Sequence, residues 1–168
     1  VYDLTWNDPY TKNTFKHGDT SAYTTALNEG SINLTYADAT GNTTLPLSNA
    51  TITESDGSAV DLNPTTYDST NKVTKTLKIT YTKDGVTATE NYPITIINDV
   101  RSIVMHGTAH QVLYNVGEGL NTAVGEILVT RAVGTPSVIG LNDSRVAITG
   151  FNNTVENPYY EKVYRSDF

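Results

Sequence analysis

Residues 75–97 read KTLKITYTKDGVTATENYPITII and carry the clearest structural pattern in the chain. Apolar and polar residues alternate on both sides of Asp84-Gly85, and a period of two places the apolar side chains on one face of a β-strand. The Asp-Gly pair favours a tight turn, because glycine accepts a positive φ. The stretch therefore predicts a β-hairpin. Pro93 has no backbone N–H to donate, which predicts an edge strand or a strand break at this residue.

The same alternation returns in shorter segments, notably SINLTYA at 31–37 and GEILVT at 125–130. Weaker strand patterns lie at 44–48 and 50–55, and residues 110–120 favour a strand that leads to a glycine turn. No segment has a helical period, apart from one short turn that would fit residues 23–30. Alternation also predicts which side chains are buried. The predicted core contains Ile32, Leu34, Tyr36, Leu77, Ile79, Tyr81, Ile94 and Ile96 in the first part of the chain, and Ile127, Val129, Val146 and Ile148 in the second.

The composition of the 168-residue chain favours an all-β protein, because its 28 Thr and 16 Asn suit exposed strand faces and turns. The net charge of −7 argues against a nucleic-acid partner, which would require clustered Lys and Arg. The sequence has neither a basic amphipathic segment nor a long apolar run, so no membrane partner is expected. The lack of cysteine excludes disulfides and thiolate metal sites. Such a chain fits the surface of a bacterium best.

The sequence contains an internal repeat of two units. Three pairs of segments match in order: 30–35 with 125–130, 45–57 with 137–151, and 77–84 with 159–167. Short strands separated by regular turn signals favour a β-sandwich for each unit. The predicted organisation is a first domain at 9–99 and a second domain at 100–168.

Two segments of the second unit carry specific motifs. YNVGEGL at 114–120 has an aromatic residue, a hydrophobic residue, Gly-Glu and Leu, and VAITGF at 146–151 has two alternating hydrophobic residues before Thr-Gly-Phe. In both, the chain resembles the bacterial immunoglobulin-like domains of group 3. The first unit departs from the second motif, with ESDG at 54–57 in its place. It matches the rest more loosely, through Phe15, Gly18, Asp19, Gly30, Ile32, Leu34 and Tyr36.

The resemblance implies tandem immunoglobulin-like β-sandwiches in a modular cell-surface protein, usually of Gram-positive bacteria. It implies no catalytic residues, because the family shares none. The motifs are turn and core positions, so the resemblance concerns the fold far more than any activity.

The first eight residues, VYDLTWND, resemble YPITIIND at 92–99, the segment expected to close the first unit. By the same alignment, the second unit lacks its last strand. Two explanations remain open. Either the repeat array is cut out of phase, or residues 1–8 of one molecule complete the second unit of the next.

Strand donation makes a specific structural prediction about these residues. Residues 1–8 would form a strand outside their own unit, where no place is left for them. The inter-subunit strand would pair beside residues 159–165 of a neighbouring copy, and molecules would assemble head to tail. Its apolar side chains would be Tyr2, Leu4 and Trp6.

No segment has the spacing of a nucleophile with its base, so the chain is expected to be neither an enzyme nor a cofactor-binding protein. His106 and His110 lack the Glu of an H-E-x-x-H zinc motif. A calcium site assembled from separate turns remains open. Tyr159 and Tyr160 would suit stacking on a glycan. Residue types for a Lys–Asn isopeptide cross-link are present at Lys75, Lys78, Asn49 and Asn98, but no pattern brings them together.

The predicted protein is a non-enzymatic extracellular structural protein of the bacterial cell surface. It is either a subunit of a head-to-tail fibre or a stalk segment, with copies of itself or adjacent repeats as partners. The alternatives are a ligand- or glycan-binding adhesin module and an accessory domain of a secreted glycan-degrading enzyme.

Overall fold

A computed structural model describes residues 3–6, 12–36, 41–107 and 113–151. The chain divides into two compact units, Val1–Asp99 (unit 1) and Val100–Phe168 (unit 2). It is mostly β-structure in several sheets, with one α-helix among the described residues. None of the described helices is long and apolar enough to cross a membrane.

Unit 1 contains seven strands and one helix in its described residues. In chain order these are β1 (Asp3–Trp6), β2 (Thr14–Lys16), α1 (Thr20–Glu29), β3 (Ser31–Thr35), β4 (Thr43–Pro46), β5 (Thr51–Glu54), β6 (Lys72–Lys83) and β7 (Val86–Ile97), with a 3₁₀ turn at Leu47–Asn49. They form a three-stranded sheet, β1-β3-β4, and a four-stranded sheet, β2-β7-β6-β5.

The predicted hairpin is confirmed as β6 and β7, which pair antiparallel along their full length. Its turn places Asp84 at φ 52° and Gly85 at φ 77°, the left-handed conformation that a tight two-residue turn requires. Pro93 lies opposite Thr76 and precedes Thr95–Ile97, the part of β7 that also pairs with β2. Among the described residues, the proline therefore lies where β7 pairs with β6 alone.

The core of unit 1 lies between its two sheets, which gives a sandwich-like arrangement. Six of the eight predicted core residues are fully buried, while Tyr36 and Tyr81 are half-buried and pack against the cluster. The fully buried six are Ile32, Leu34, Leu77, Ile79, Ile94 and Ile96. Lys78 is exposed, which confirms the predicted assignment of inward and outward side chains in this strand.

Helix α1 was not predicted beyond a single turn at residues 23–30. It spans ten residues, from Thr20 to Glu29. The Asp19 carboxylate accepts a hydrogen bond from the Ala22 N–H at 2.9 Å, so it caps the first turn. Ala26 packs into the core. Small and polar residues dominate the helix, and this weakens its amphipathic pattern in the sequence.

The position predicted for the first strand is wrong. β1 pairs antiparallel with β3 of its own unit, with Leu4 opposite Leu34 and Trp6 opposite Ile32. Leu4 is 1% exposed and belongs to the core of unit 1. Unit 1 therefore has a place for this strand at the edge of a different sheet from β7. Tyr2 and the predicted partner segment at 159–165 lie outside the described residues.

Unit 2 repeats the first sheet of unit 1. Its strands β8 (Val100–His106), β9 (Glu126–Arg131) and β10 (Ser137–Gly140) are arranged β10-β9-β8, the counterpart of β4-β3-β1. Ile127 lies between Met105 and Ile139, as Ile32 lies between Trp6 and Leu45. The structural counterpart of β1 is therefore β8, and the alignment of residues 1–8 with 92–99 is wrong.

Other predictions for unit 2 were mixed. Ile127 and Val129 are buried as predicted, but Val146 is half-buried and Ile148 is 42% exposed. Residues 113–120 contain the predicted glycine turn, at Gly117, but no strand. Val146–Gly150 likewise contains no strand.

Replacing Leu4 with alanine should destabilise unit 1 by about 2–5 kcal/mol, because a fully buried leucine leaves a cavity when truncated. Thr5→Ala, at the exposed neighbour, should change stability by less than about 0.5 kcal/mol. Amide hydrogen exchange of β3 in the whole chain measures the opening free energy. Equal exchange rates in the two variants would show that β1 does not belong to unit 1 in solution.

Candidate functional site

The first and last strands of the four-stranded sheet lie side by side, although 80 residues lie between the paired Thr14 and Thr95 in the chain. β2 pairs parallel with the end of β7, with Thr14, Phe15 and Lys16 opposite Thr95, Ile96 and Ile97. We call residues 12–17 together with residues 92–97 the terminal clamp. It joins the N-terminal part of unit 1 to the strand through which the chain leaves the unit.

Main-chain hydrogen bonds extend the clamp at both ends of β2. The Thr95 N–H donates to the Asn13 carbonyl oxygen at 2.7 Å, and the His17 N–H donates to the Ile97 carbonyl oxygen at 2.9 Å. In addition, the Tyr92 hydroxyl donates to the Lys12 carbonyl oxygen. The clamp thus begins before β2 and ends after it.

The clamp is anchored in the core by Phe15. Its side chain is 2% exposed, and it meets the Tyr23 ring of α1 edge to face, with the ring centroids 5.4 Å apart. Thr14 and Lys16 on either side are exposed. Alternation in a three-residue strand is too short to be recognised in a sequence, which is why β2 was not predicted.

Burial raises the pKa of two tyrosines, Tyr92 in the clamp and Tyr23, which packs against Phe15. Desolvation raises the pKa of Tyr23 from 10.0 to about 12, and the negative charge of Glu54 acts in the same direction. Desolvation also raises the pKa of Tyr92, with a smaller effect from Tyr23. Both phenols are therefore held neutral well beyond the usual range, because a phenolate would lie among apolar groups.

A partly buried ionic cluster lies beside the hairpin in unit 1. The Lys75 Nζ atom is 2.8 Å from Glu54 Oε1 and 3.7 Å from Asp61 Oδ2, and it donates to the Asp61 carbonyl oxygen at 2.6 Å. This cation fixes the loop after β5 against β6, since the Glu54 carboxylate also accepts the Asp61 N–H at 3.0 Å. The cluster has the geometry of a structural ion pair.

The residues considered for a Lys–Asn cross-link are not brought together. Lys75 contacts acidic groups, and Lys78 and Asn49 are exposed. Asn98 is 5% exposed, and its N–H donates to the Asn71 carbonyl oxygen at 2.9 Å. These contacts place Asn98 in the junction after β7 as a structural residue.

The histidines are placed apart. His17 Nδ1 lies 2.8 Å from the Tyr67 hydroxyl, and His106 is exposed in β8 opposite Glu126. His110, Tyr159 and Tyr160 lie outside the described residues. Within residues 3–6, 12–36, 41–107 and 113–151, no three His, Asp or Glu side chains group as metal ligands would.

Unit 2 has a cavity of about 390 Å³ on one face of its sheet. Its floor is apolar and includes Ile103, Ile127, Val129 and Ile139. Arg131 and Arg145 also line it. Arg145 Nη2 lies 2.7 Å from Asp143 Oδ2, and this guanidinium, by its hydrogen bonds, holds the pKa of Asp143 well below the usual range.

The aromatic ends of the two motifs in unit 2 meet in space. Tyr114 and Phe151 pack edge to face with ring centroids 4.9 Å apart. The turn that follows Tyr114 in the first motif places Gly117 at φ 85°. In this turn the Glu118 carboxylate accepts a hydrogen bond from the Asn115 N–H at 2.8 Å. The motif therefore builds a small aromatic-capped turn.

The chain matches no known protein family, no curated protein and no solved structure.

Unit 1 should lose stability as the pH rises from about 10 towards about 12. The folded-state pKa of Tyr23 lies above its ordinary value of 10.0, so deprotonation favours the unfolded chain. Its contribution is complete below the unfolded-state pKa and is lost as the pH rises through the folded-state value.

Tyr23→Phe keeps the ring and removes the ionisable group. We expect stability within about 1 kcal/mol of the unsubstituted chain at neutral pH, and a smaller loss in alkali. Urea unfolding followed by circular dichroism at several pH values, with tyrosinate absorbance, measures both effects. An equal alkaline loss in the two proteins would contradict this account.

Proposed function

We propose that the chain is a non-enzymatic structural segment of a modular bacterial surface protein, whose immunoglobulin-like units lie in tandem and carry tension along the polypeptide. The terminal clamp of unit 1 is the observation that carries this proposal. The composition, the repeated sheet and the Tyr114–Phe151 turn support the immunoglobulin-like assignment.

Parallel pairing of β2 with β7 determines how unit 1 responds to tension. A load that enters from the N-terminal side pulls β2 backwards, while a load that leaves through the end of β7 pulls that strand forwards. Because the two strands run in the same direction, these forces slide one strand along the other. The hydrogen bonds between them are then loaded together and cannot open one after another.

The route of the load out of unit 1 passes through the clamp. β7 is followed by Asn98 and Asp99, and β8 of unit 2 begins at Val100. Asn98 is held by its backbone hydrogen bond to Asn71. The strand that bears the clamp is thus connected to the next unit by only two residues, as a stalk of consecutive domains requires.

The proposed stalk does not need donation of residues 1–8 to another copy. β1 already occupies its own sheet, where Leu4 is buried. Under load β1 is the first strand to be pulled, and the clamp resists after it. The tension-bearing role therefore depends on β2 and β7.

Single-molecule stretching of the chain between its ends tests the proposal with His17→Pro. Proline removes the N–H that donates to the Ile97 carbonyl oxygen, and the extended Lys16 before it is compatible with proline. Loss of this bond should raise the unfolding rate of unit 1 under load by about tenfold.

His17→Ala is the matched control, because it loses the contact with Tyr67 but keeps the N–H. A second control pulls on cysteines introduced at Lys83 and Val86, which is feasible because the chain has no other cysteine. This geometry unzips β6 from β7 and should be insensitive to His17→Pro. Equal effects of proline in both directions, or of Pro and Ala at position 17, would contradict the clamp.

A further inference from the structure

The loop between β5 and β6 lies against the end of the terminal clamp. We call residues 58–67 the strap. Leu62 near its centre is 3% exposed and belongs to the core of unit 1. The Leu62 carbonyl oxygen accepts the Gly18 N–H at 2.9 Å, directly after His17, whose own N–H donates to the Ile97 carbonyl oxygen. The chain that leaves β2 is therefore held by β7 and also by the strap.

The strap makes close contact with the chain beside the clamp. A Cβ atom added at Gly18 would lie 3.0 Å from the Asn63 side-chain oxygen, and Gly18 has φ 71°. A larger residue at this position would therefore strain the backbone and press on the strap. At the far end of the strap, the Tyr67 hydroxyl lies 2.8 Å from His17 Nδ1. The strap thus meets residues 17 and 18 through Leu62, Asn63 and Tyr67.

An ionic contact fixes the strap to β6. We call Lys75, Glu54 and Asp61 the latch. Lys75 Nζ is 2.8 Å from Glu54 Oε1 and donates to the Asp61 carbonyl oxygen at 2.6 Å. The Lys75 and Glu54 side chains are only 19% and 18% exposed, so solvent ions screen this pair less than an ion pair on the surface. Asp61 precedes the buried Leu62, so the latch holds the strap next to its anchor in the core.

The strap has no regular secondary structure. Its residues form neither helix nor strand, and six of the ten are exposed. In contrast, β6 and β7 pair with each other over 12 residues each. Segments with few buried side chains and few backbone hydrogen bonds open at a lower free energy than long paired strands. The strap should therefore open while the rest of unit 1 stays folded.

We propose that the strap has two positions, closed on Gly18 as in the structure and open in a locally unfolded state, and that the latch determines how often it opens. The inference rests on the proposed function, because it adds a regulating element to the terminal clamp. In the closed position the strap supports the chain that follows β2. In the open position that chain is held by β7 without the strap, and the clamp loosens. The charges of the latch thereby regulate the clamp.

Amide hydrogen exchange of the whole chain separates the strap from the clamp and from the hairpin. The Gly18 amide reports the strap, the His17 amide reports the clamp, and the paired amides of β6 and β7 report the whole unit. After correction for intrinsic rates, Gly18 should exchange at least about tenfold faster than the hairpin amides. Lys75→Met removes a charge of the latch and keeps the length of the side chain. It should accelerate exchange at Gly18 by about fivefold, accelerate exchange at His17 as well, and leave the hairpin amides unchanged.

Two further variants isolate the latch. Lys78→Met is the matched control, because Lys78 lies on the same strand but is exposed on its outer face. It should change exchange at Gly18 by less than about twofold. Glu54→Gln removes the opposite charge and keeps an oxygen for the Asp61 N–H. Combined with Lys75→Met, it should open the strap no more often than Lys75→Met alone, because both changes remove the same interaction.

Equal protection of Gly18 and the hairpin amides would overturn the proposal, because the strap would then open only with the whole unit. So would equal effects of Lys75→Met and Lys78→Met, additive effects in the double variant, equal acceleration of the hairpin amides, or faster exchange at Gly18 with no change at His17. The load-bearing role is decided separately, by stretching His17→Pro against His17→Ala, so a failure of one proposal is distinguishable from a failure of the other.

Discussion

The antiparallel pairing of β6 with β7 is the interaction on which unit 1 depends. The two strands are 12 residues each, and every other pairing of the four-stranded sheet is made to one of them, β5 to β6 and β2 to β7. Their buried face also covers the β1-β3-β4 sheet. Each aliphatic side chain buried there contributes about 1.5–3 kcal/mol before ordering costs. Without this hairpin the four-stranded sheet would not form, and the β1-β3-β4 sheet would have no second layer to pack against.

Much of unit 1 could be predicted because its strands have one solvent-exposed face and one buried face. This difference between the two faces appears in the sequence as alternating apolar and polar residues. The alternation correctly predicts the hairpin and six fully buried core residues. Helix α1 has no comparable signal, since it buries mainly Ala26 and depends on the Asp19 cap. The terminal clamp was missed for another reason: β2 is 3 residues long and pairs with a strand far away in the chain.

Unit 2 was harder to predict because its sheet is apolar on both faces. At the outward positions where unit 1 has Thr5, Asn33 and Thr44, unit 2 has Val104, Leu128 and Val138. In β8 Ile103, Val104 and Met105 are consecutive apolar residues, so this strand has no period-two signal. Residues 1–8 resemble residues 92–99, and this similarity aligned β1 with the end of β7 instead of with β8. Only the pairing register shows that β1 and β8 are counterparts.

The distance in sequence between the two strands of the terminal clamp has a consequence for biogenesis. β6 and β7 are neighbours in the chain and can pair as soon as both are synthesised, whereas Thr14 must wait for Thr95. A nascent chain therefore keeps its N-terminal segment unpaired from β7 until the last strand of unit 1 has left the ribosome. Throughout that interval Phe15 has no strand to pair with, so the four-stranded sheet of unit 1 is completed only when the last strand of the unit has been synthesised.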